Sequence, residues 1–134
     1  MAAIVDGLVN IVVLDTNILI DFLQGHHQSK VLFENYKTKA TTIIISIITV
    51  VEVLVGIFDP EKRKNISLWL QSFQTIAVGS EIANAAVALR QTFRLKVPDA
   101  LIMATAQCHR GTLVTRDQDF RRIPGVHCPY TLHE

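Results

Sequence analysis

Ile11-Val12-Val13-Leu14 is a short β-branched run ending at Asp15, the pattern of a strand covered on both faces, and Asp15 to Asn17 then supply helix-capping side chains. Ile18, Leu19, Phe22 and Leu23 recur at helical spacing up to Gly25, and a second helix is expected over residues 29–36. Thr41 to Ile45 repeats the strand pattern and reaches Ser46, which can cap a helix from Ile47 to about Ile57, closed by Asp59-Pro60. Pro60 opens the next helix, with Ile66, Trp69, Leu70 and Phe73 on one stripe, and residues 75–78 read as a brief strand. Helices over 80–93 and, with Pro98 in the first turn, 99–109 precede Gly111. A strand over 112–115, a short helix over 118–122 and an edge strand over 126–128 complete the pattern. Strands alternating with helices predict an α/β fold, a mostly parallel central sheet with helices on both faces. Its ligand site should lie at the strand C-termini, where the strand order switches.

With 134 residues, 49% of them hydrophobic, and only four Pro, the chain reads as a single domain over 1–134, which excludes a disordered tail or linker. The apolar stretch Ile43 to Phe58 is shorter than the about 20 residues a membrane span needs and carries Glu52. Residues 1–10 hold Asp6 and neither Lys nor Arg, so the cationic start of a signal peptide is missing and a cytoplasmic protein is expected, with no membrane partner. Two Cys are too few to staple a fold of this size, and free thiols are expected. The apolar share exceeds what a small core needs, which points to pairing, most simply a homodimer.

Among the acids, Asp6, Asp21, Glu34, Asp59, Glu61, Glu81 and Glu134 read as solvated surface groups. Four others do not. Asp15 and Asp117 follow apolar strands. Asp99 opens an apolar helix, where the helix dipole favours its ionised form by about 0.3 to 1 kcal/mol. Glu52 interrupts a helix that is apolar nearly all round and is expected to be buried on most faces. Each taken singly has an ordinary reading: Asp15 and Asp99 as caps, Asp117 as a turn former, Glu52 as the buried partner of an Arg. Together, carboxylates from separate elements of one sheet would repel one another unless a cation lay between them, and oxygen-only ligation suits Mg²⁺ or Mn²⁺.

The stretches Val13-Leu14-Asp15-Thr16-Asn17-Ile18-Leu19-Ile20-Asp21, Ser46 to Gly56, Val97-Pro98-Asp99-Ala100-Leu101-Ile102-Met103-Ala104-Thr105-Ala106 and Leu113-Val114-Thr115-Arg116-Asp117-Gln118-Asp119-Phe120 resemble, in order, the four signatures of PIN-domain ribonucleases, and VapC-type toxins in particular. The resemblance covers residues 11 to 129. It implies a PIN-like three-layer domain and a Mg²⁺-dependent endoribonuclease, the toxin of a toxin–antitoxin pair, with a cognate antitoxin protein as partner. It makes Asp15, Glu52, Asp99 and Asp117 the catalytic acids and metal ligands. Asp119 is a further metal position, because many relatives have Asn at the position of Asp117 and space the next acid differently. Thr16, Asn17, Ser46 and Thr115 match polar positions that orient ligands, while helix and turn capping explains the same residues. Thr49 has the same two readings.

Hydrolysis of a phosphodiester needs an activated water, neutralised phosphoryl oxygens and a stabilised leaving oxygen, and carboxylate-held Mg²⁺ meets these needs. The five His, at 26, 27, 109, 127 and 133, fall outside the acidic motifs, which disfavours attack through the ribose 2′-hydroxyl. Cys108-His109 and His127-Cys128 lack the spacing of a zinc site. Of 12 acids and 13 Lys and Arg, setting aside the four site acids leaves 8 against 13, and seven bases, Arg90, Arg94, Lys96, Arg110, Arg116, Arg121 and Arg122, crowd the last third. This balance suits an RNA substrate, with Arg116, Arg94 and Lys96 as phosphate contacts, whereas Lys62-Arg63-Lys64 reads as a solvated face. Two alternatives remain: a receiver-type phosphoacceptor signalling domain, although only one acid follows the first strand, and a catalytically idle PIN domain that binds RNA or protein.

Overall fold

A computed structural model describes residues 4, 5 and 8–132. Two short strands, β1 (Ile4–Val5) and β2 (Leu8–Val9), pair antiparallel ahead of the main sheet. The periodicity does not call for them, although Asp6-Gly7 between two apolar pairs is a hairpin signal. Asp6 and Glu134 themselves lie outside the described residues.

The main sheet has five strands, all parallel, in the order β5 (Gln74–Ile76), β4 (Thr42–Ser46), β3 (Ile11–Leu14), β6 (Thr112–Val114), β7 (Val126–His127). From β3 the chain passes through α1 (Thr16–Leu23) and α2 (His27–Thr38) to β4, then through α3 (Ile47–Val55) and α4 (Pro60–Leu70) to β5. It returns through α5 (Ser80–Phe93) and α6 (Val97–Cys108) to β6 on the other side of β3. The switch in strand order therefore falls between β3 and β6.

Alternation along the strands sends neighbouring side chains into two cores. Val13, Ile44 and Leu113 meet Ile82, Leu89, Ile102 and Met103 from α5 and α6, together with Phe120. Val12, Leu14, Ile45 and Val114 meet Ile18, Leu19, Val53 and Leu70 on the opposite face. A train of aromatic rings, Phe22, Phe33, Trp69 and Phe73, with centroids 4.4 to 6.2 Å apart, seals that second core. The start of β6 is fixed by a close approach. A Cβ on Gly111 would stand 3.0 Å from the Ile11 side chain and 3.1 Å from its carbonyl oxygen, so any other residue there requires β3 to give by a few tenths of an ångström.

Most expected elements recur with shifted ends. α2 runs beyond 29–36 at both ends, α3 stops at Val55, and the 118–122 helix is one 3-10 turn, Gln118–Phe120. β5 starts at Gln74 because its register is set by pairing with Ile44, not by its own apolar content. Two expectations are corrected. α3 is not buried on most faces: only Thr49 and Val53 are buried, while Val51 and Val55 face outward. Asp21 is not a surface acid: it is 0% exposed, because the helical turn places it three residues from Ile18 on the inward stripe.

Candidate active site

Asp15 continues β3 through a backbone bond from its N–H to Val114 O and caps α1, accepting at Oδ1 from the Thr16 N–H at 2.8 Å. Its Oδ2 accepts from the Thr115 hydroxyl at 2.8 Å and the Asn17 amide at 3.3 Å. All three donors are neutral. Asp15 is only 5% exposed, and burial pushes its carboxyl up to about 6; the bonds from Thr115 and Thr16 oppose the rise, and Asp99 and Glu52 add to it.

Glu52 projects from the middle of α3, half-buried, and its Oε1 accepts from the Thr16 hydroxyl at 2.7 Å; the Thr49 hydroxyl lies 3.3 Å from that of Thr16. Among the described residues no Arg pairs with it. Asp99, in the first turn of α6, is raised above its ordinary value by burial and by Glu52 and Asp117, with Lys96 opposing. Asp117 caps the 3-10 turn by accepting from the Asp119 N–H at 3.0 Å, while its own N–H donates to Thr115 Oγ1 at 3.1 Å. The sheet thus brings Asp15 into electrostatic reach of Glu52 and Asp99, and Asp99 into reach of Glu52 and Asp117, across the ends of β3, β4 and β6. Asp119 is exposed beside them.

Ser46 is buried and caps α3, accepting from the Ile48 N–H at 3.0 Å, so capping accounts for its contacts. Thr16, Asn17 and Thr115 do face the acids: Asn17 donates to Thr115 Oγ1 at 3.1 Å and accepts from the Arg116 N–H at 3.2 Å. The Arg116 guanidinium turns away from this cluster to Asp21, with Nε 2.6 Å from Oδ2 and Nη2 3.1 Å from Oδ1. That pair occupies Nε and Nη2 and leaves Nη1 of a side chain that is still 35% exposed. Arg94 and Lys96 are exposed and line a cleft of about 670 Å³ with Asp99, Asp117, Asp119, Arg121 and Arg122. Sequence reasoning missed Asp21 and Tyr130, whose hydroxyl donates to Asp21 Oδ2 at 2.8 Å.

The donor set fits a hard divalent cation. Among the described residues the sole ion pair is Arg116–Asp21, so none of the clustered acids is ion-paired there; Lys96 acts on Asp99 only at longer range. Among the same residues no three His, Cys, Asp or Glu close round one point. Mg²⁺ ordinarily keeps several waters and takes one or two carboxylates, and it does not need such a cage. Cys108 and Cys128 are free thiols, as expected. Among the described residues no helix is long and apolar enough to cross a membrane.

The PIN domain family model matches residues 12–126. A chain of a toxin–antitoxin complex from Klebsiella pneumoniae is 41% identical, with a TM-score of 0.81 over 90% of this chain and 99% of that one. VapBC2 from Rickettsia felis, bound to a DNA fragment from its promoter, contains a chain 25% identical, with a TM-score of 0.74 over 87% and 95%. A chain of FitAcB from Neisseria gonorrhoeae, 22% identical with a TM-score of 0.71 over 90% and 99%, shares the fold. No protein of curated function matches. With the family model running from β3 to the start of β7, and with acids standing at the ends of its strands, the chain belongs to the PIN domain family.

Proposed function

We propose that this protein is a Mg²⁺-dependent endoribonuclease, with Mn²⁺ as a substitute, and the toxin of a toxin–antitoxin pair acting in the cytoplasm. The observation that carries the reading is the cluster of Asp15, Glu52, Asp99 and Asp117, in which burial first and neighbouring acids after it raise the carboxyls of Asp15 and Asp99, and in which no acid forms an ion pair among the described residues. These four would hold the ion, with Asp119 at the rim. When bound, Mg²⁺ lowers the barrier to water attack and neutralises charge on the phosphoryl and leaving oxygens. Thr115 and Asn17 orient Asp15, and Thr16 orients Glu52, through the hydrogen bonds above. Arg94 and Lys96, with Arg121 across the same cleft, attract the RNA backbone toward the acids.

Membership of the PIN family removes the receiver-type alternative. An assay of the purified chain on RNA separates a working nuclease from an idle domain. Cleavage is expected with Mg²⁺ and absent with a chelator. Water attack leaves a 5′-phosphate and a free 3′-hydroxyl, and a 2′-O-methyl group at the scissile nucleotide does not block it. Metal-independent cleavage or 2′,3′-cyclic ends would overturn the mechanism. The relatives in toxin–antitoxin complexes support a cognate antitoxin, and exposed Val51, Val55 and Phe58 supply apolar surface for a protein partner, the antitoxin or a second copy. Sedimentation of the chain alone and with a co-expressed antitoxin reads both.

A further inference from the structure

We propose that Asp21, Arg116 and Tyr130 are positioning residues, a clamp centred on buried Asp21 that holds the loop after β6 so that Asp117 faces the cleft it shares with Asp99; the inference rests on the nuclease reading above. A fully buried carboxylate costs several kcal/mol unless paired and hydrogen-bonded. Asp21 is paired on both oxygens: Oδ2 accepts from Arg116 Nε at 2.6 Å and from the Tyr130 hydroxyl at 2.8 Å, and Oδ1 accepts from Arg116 Nη2 at 3.1 Å. The three residues belong to α1, to the loop after β6 and to the segment after β7, so the clamp ties together parts of the chain that no local signal links.

Its consequence for the site follows from what holds Asp117. The polar contacts of Asp117 stay inside its own loop and 3-10 turn, to Thr115, Asp119 and Phe120, apart from a long one from Cys128 Sγ to its carbonyl at 3.8 Å, and Cys128 lies in the segment that Tyr130 anchors. The place of Asp117 relative to Asp15 is therefore set by its neighbours in the loop. Those neighbours are fastened to α1 and its cap at four points: Thr115 to Asp15, the Asn17 amide to Thr115, the Arg116 N–H to Asn17, and the Arg116 guanidinium to Asp21. Of these, only the last is charge-assisted and bidentate, the geometry that fixes both distance and orientation. Arg116 sits between Thr115 and Asp117 in sequence, so its side chain pulls the loop inward on one side while Asp117 points to the cleft lined by Asp99.

The test compares Asp21→Asn, Arg116→Gln, Arg116→Lys and Tyr130→Phe in the full chain, by RNA cleavage in Mg²⁺ and by amide hydrogen exchange without metal. A clamp lowers kcat about 10- to 100-fold in Asp21→Asn and Arg116→Gln with little change in KM, the size of effect that outer partners have on a metal site. Arg116→Lys, which keeps charge but not the fork, restores only part of the rate. Amides 116–119 exchange faster in the variants while those of α5 do not. A phosphate role for Arg116 gives a different pattern that would overturn the clamp: Arg116→Gln raises KM and reduces the log–log salt slope by about 0.7, while Asp21→Asn, which frees the guanidinium, stays fully active. Should Asp21→Asn and Arg116→Gln fail to fold, Tyr130→Phe decides, because it keeps the ion pair and removes one bond; unchanged exchange at 116–119 rejects the clamp. A wild type that cuts no RNA defeats the nuclease reading alone, and exchange still judges the clamp.

Discussion

The two ends of α1 each bury a carboxylate, and the contrast between them separates structure from chemistry. Asp21 is satisfied by a guanidinium and a phenol from its own chain, both aimed at it, and its full burial closes it to a ligand. Asp15, six residues earlier, receives only two hydroxyl or amide side-chain donors and one backbone N–H, and its nearest charged neighbours are other acids. Burial alone does not mark a functional acid, since Asp21 is the more deeply buried of the two. The mark is the missing cation.

The largest effect expected from this contrast is on activity. Asp15→Asn and Asp99→Asn keep size and some hydrogen bonding but remove a charge from the cluster. RNA cleavage in Mg²⁺ should fall by more than the about 10- to 100-fold that outer partners contribute, with the far-UV circular dichroism unchanged. Full turnover by either purified variant would return Asp15 to the ordinary role of a helix cap.

This contrast is only half legible in the sequence. β3 and the cap at Asp15 are readable because everything that makes them, an apolar run followed by Asp-Thr-Asn, is local. The clustered acids are readable because each ends or breaks an apolar pattern. Asp21 breaks one too, on the Ile18 stripe, but the partners that explain it stand 95 and 109 residues further on. Neither Arg116 nor Tyr130 carries a local sign of that pairing. The α3 surface misleads for a related reason: a helix apolar all round is consistent with burial or with a surface that waits for a partner, and only the exposure of Val51 and Val55 separates the two.

A second effect sets the two acids against each other in stability. Asp21→Asn leaves Arg116 facing a neutral amide and should cost about 2 to 3 kcal/mol, below the range for a fully buried pair because the Arg116 side chain keeps 35% of its exposure. Asp15→Asn should cost nothing or stabilise, because it relieves repulsion from Asp99 and Glu52. Urea unfolding of the metal-free proteins near neutral pH reads both. Equal losses for the two variants would mean that Asp15 is as well paired as Asp21.

Adding Mg²⁺ is expected to sharpen the contrast by a smaller amount. An ion that binds only the native state raises stability by about 1.4 kcal/mol at ten times its Kd, seen as a higher unfolding midpoint. Glu52→Gln should weaken that rise, because the amide keeps an acceptor for the Thr16 hydroxyl but no longer supplies charge. An identical rise in both proteins would place Glu52 away from the ion.

The smallest effect lies in the pH dependence of the metal-free chain, and its sign is fixed by the direction in which Asp15 is displaced. Its carboxyl is raised from 3.8 to about 6, first by burial, so the folded state holds the proton more tightly than the unfolded chain does. The resulting stabilisation is present in full below about pH 4 and is lost as pH climbs through about 6. Asp15→Asn has no such proton to lose. The variant should therefore match the wild type near pH 4 and exceed it by about 1 kcal/mol near pH 8. A tenfold change in proton affinity is worth about 1.4 kcal/mol, so the tighter hold alone would allow a wider gap. The gap is narrowed because the Asn amide turns a donor toward Thr115 or Asn17 where the carboxylate accepted. Mg²⁺ above pH 6 should cancel or reverse the difference by supplying Asp15 with the cation it lacks. Chemical denaturation of both proteins at intervals across this range measures the gap, and a gap that is flat, or that widens as pH falls, would show that Asp15 carries no unpaired charge in the empty fold.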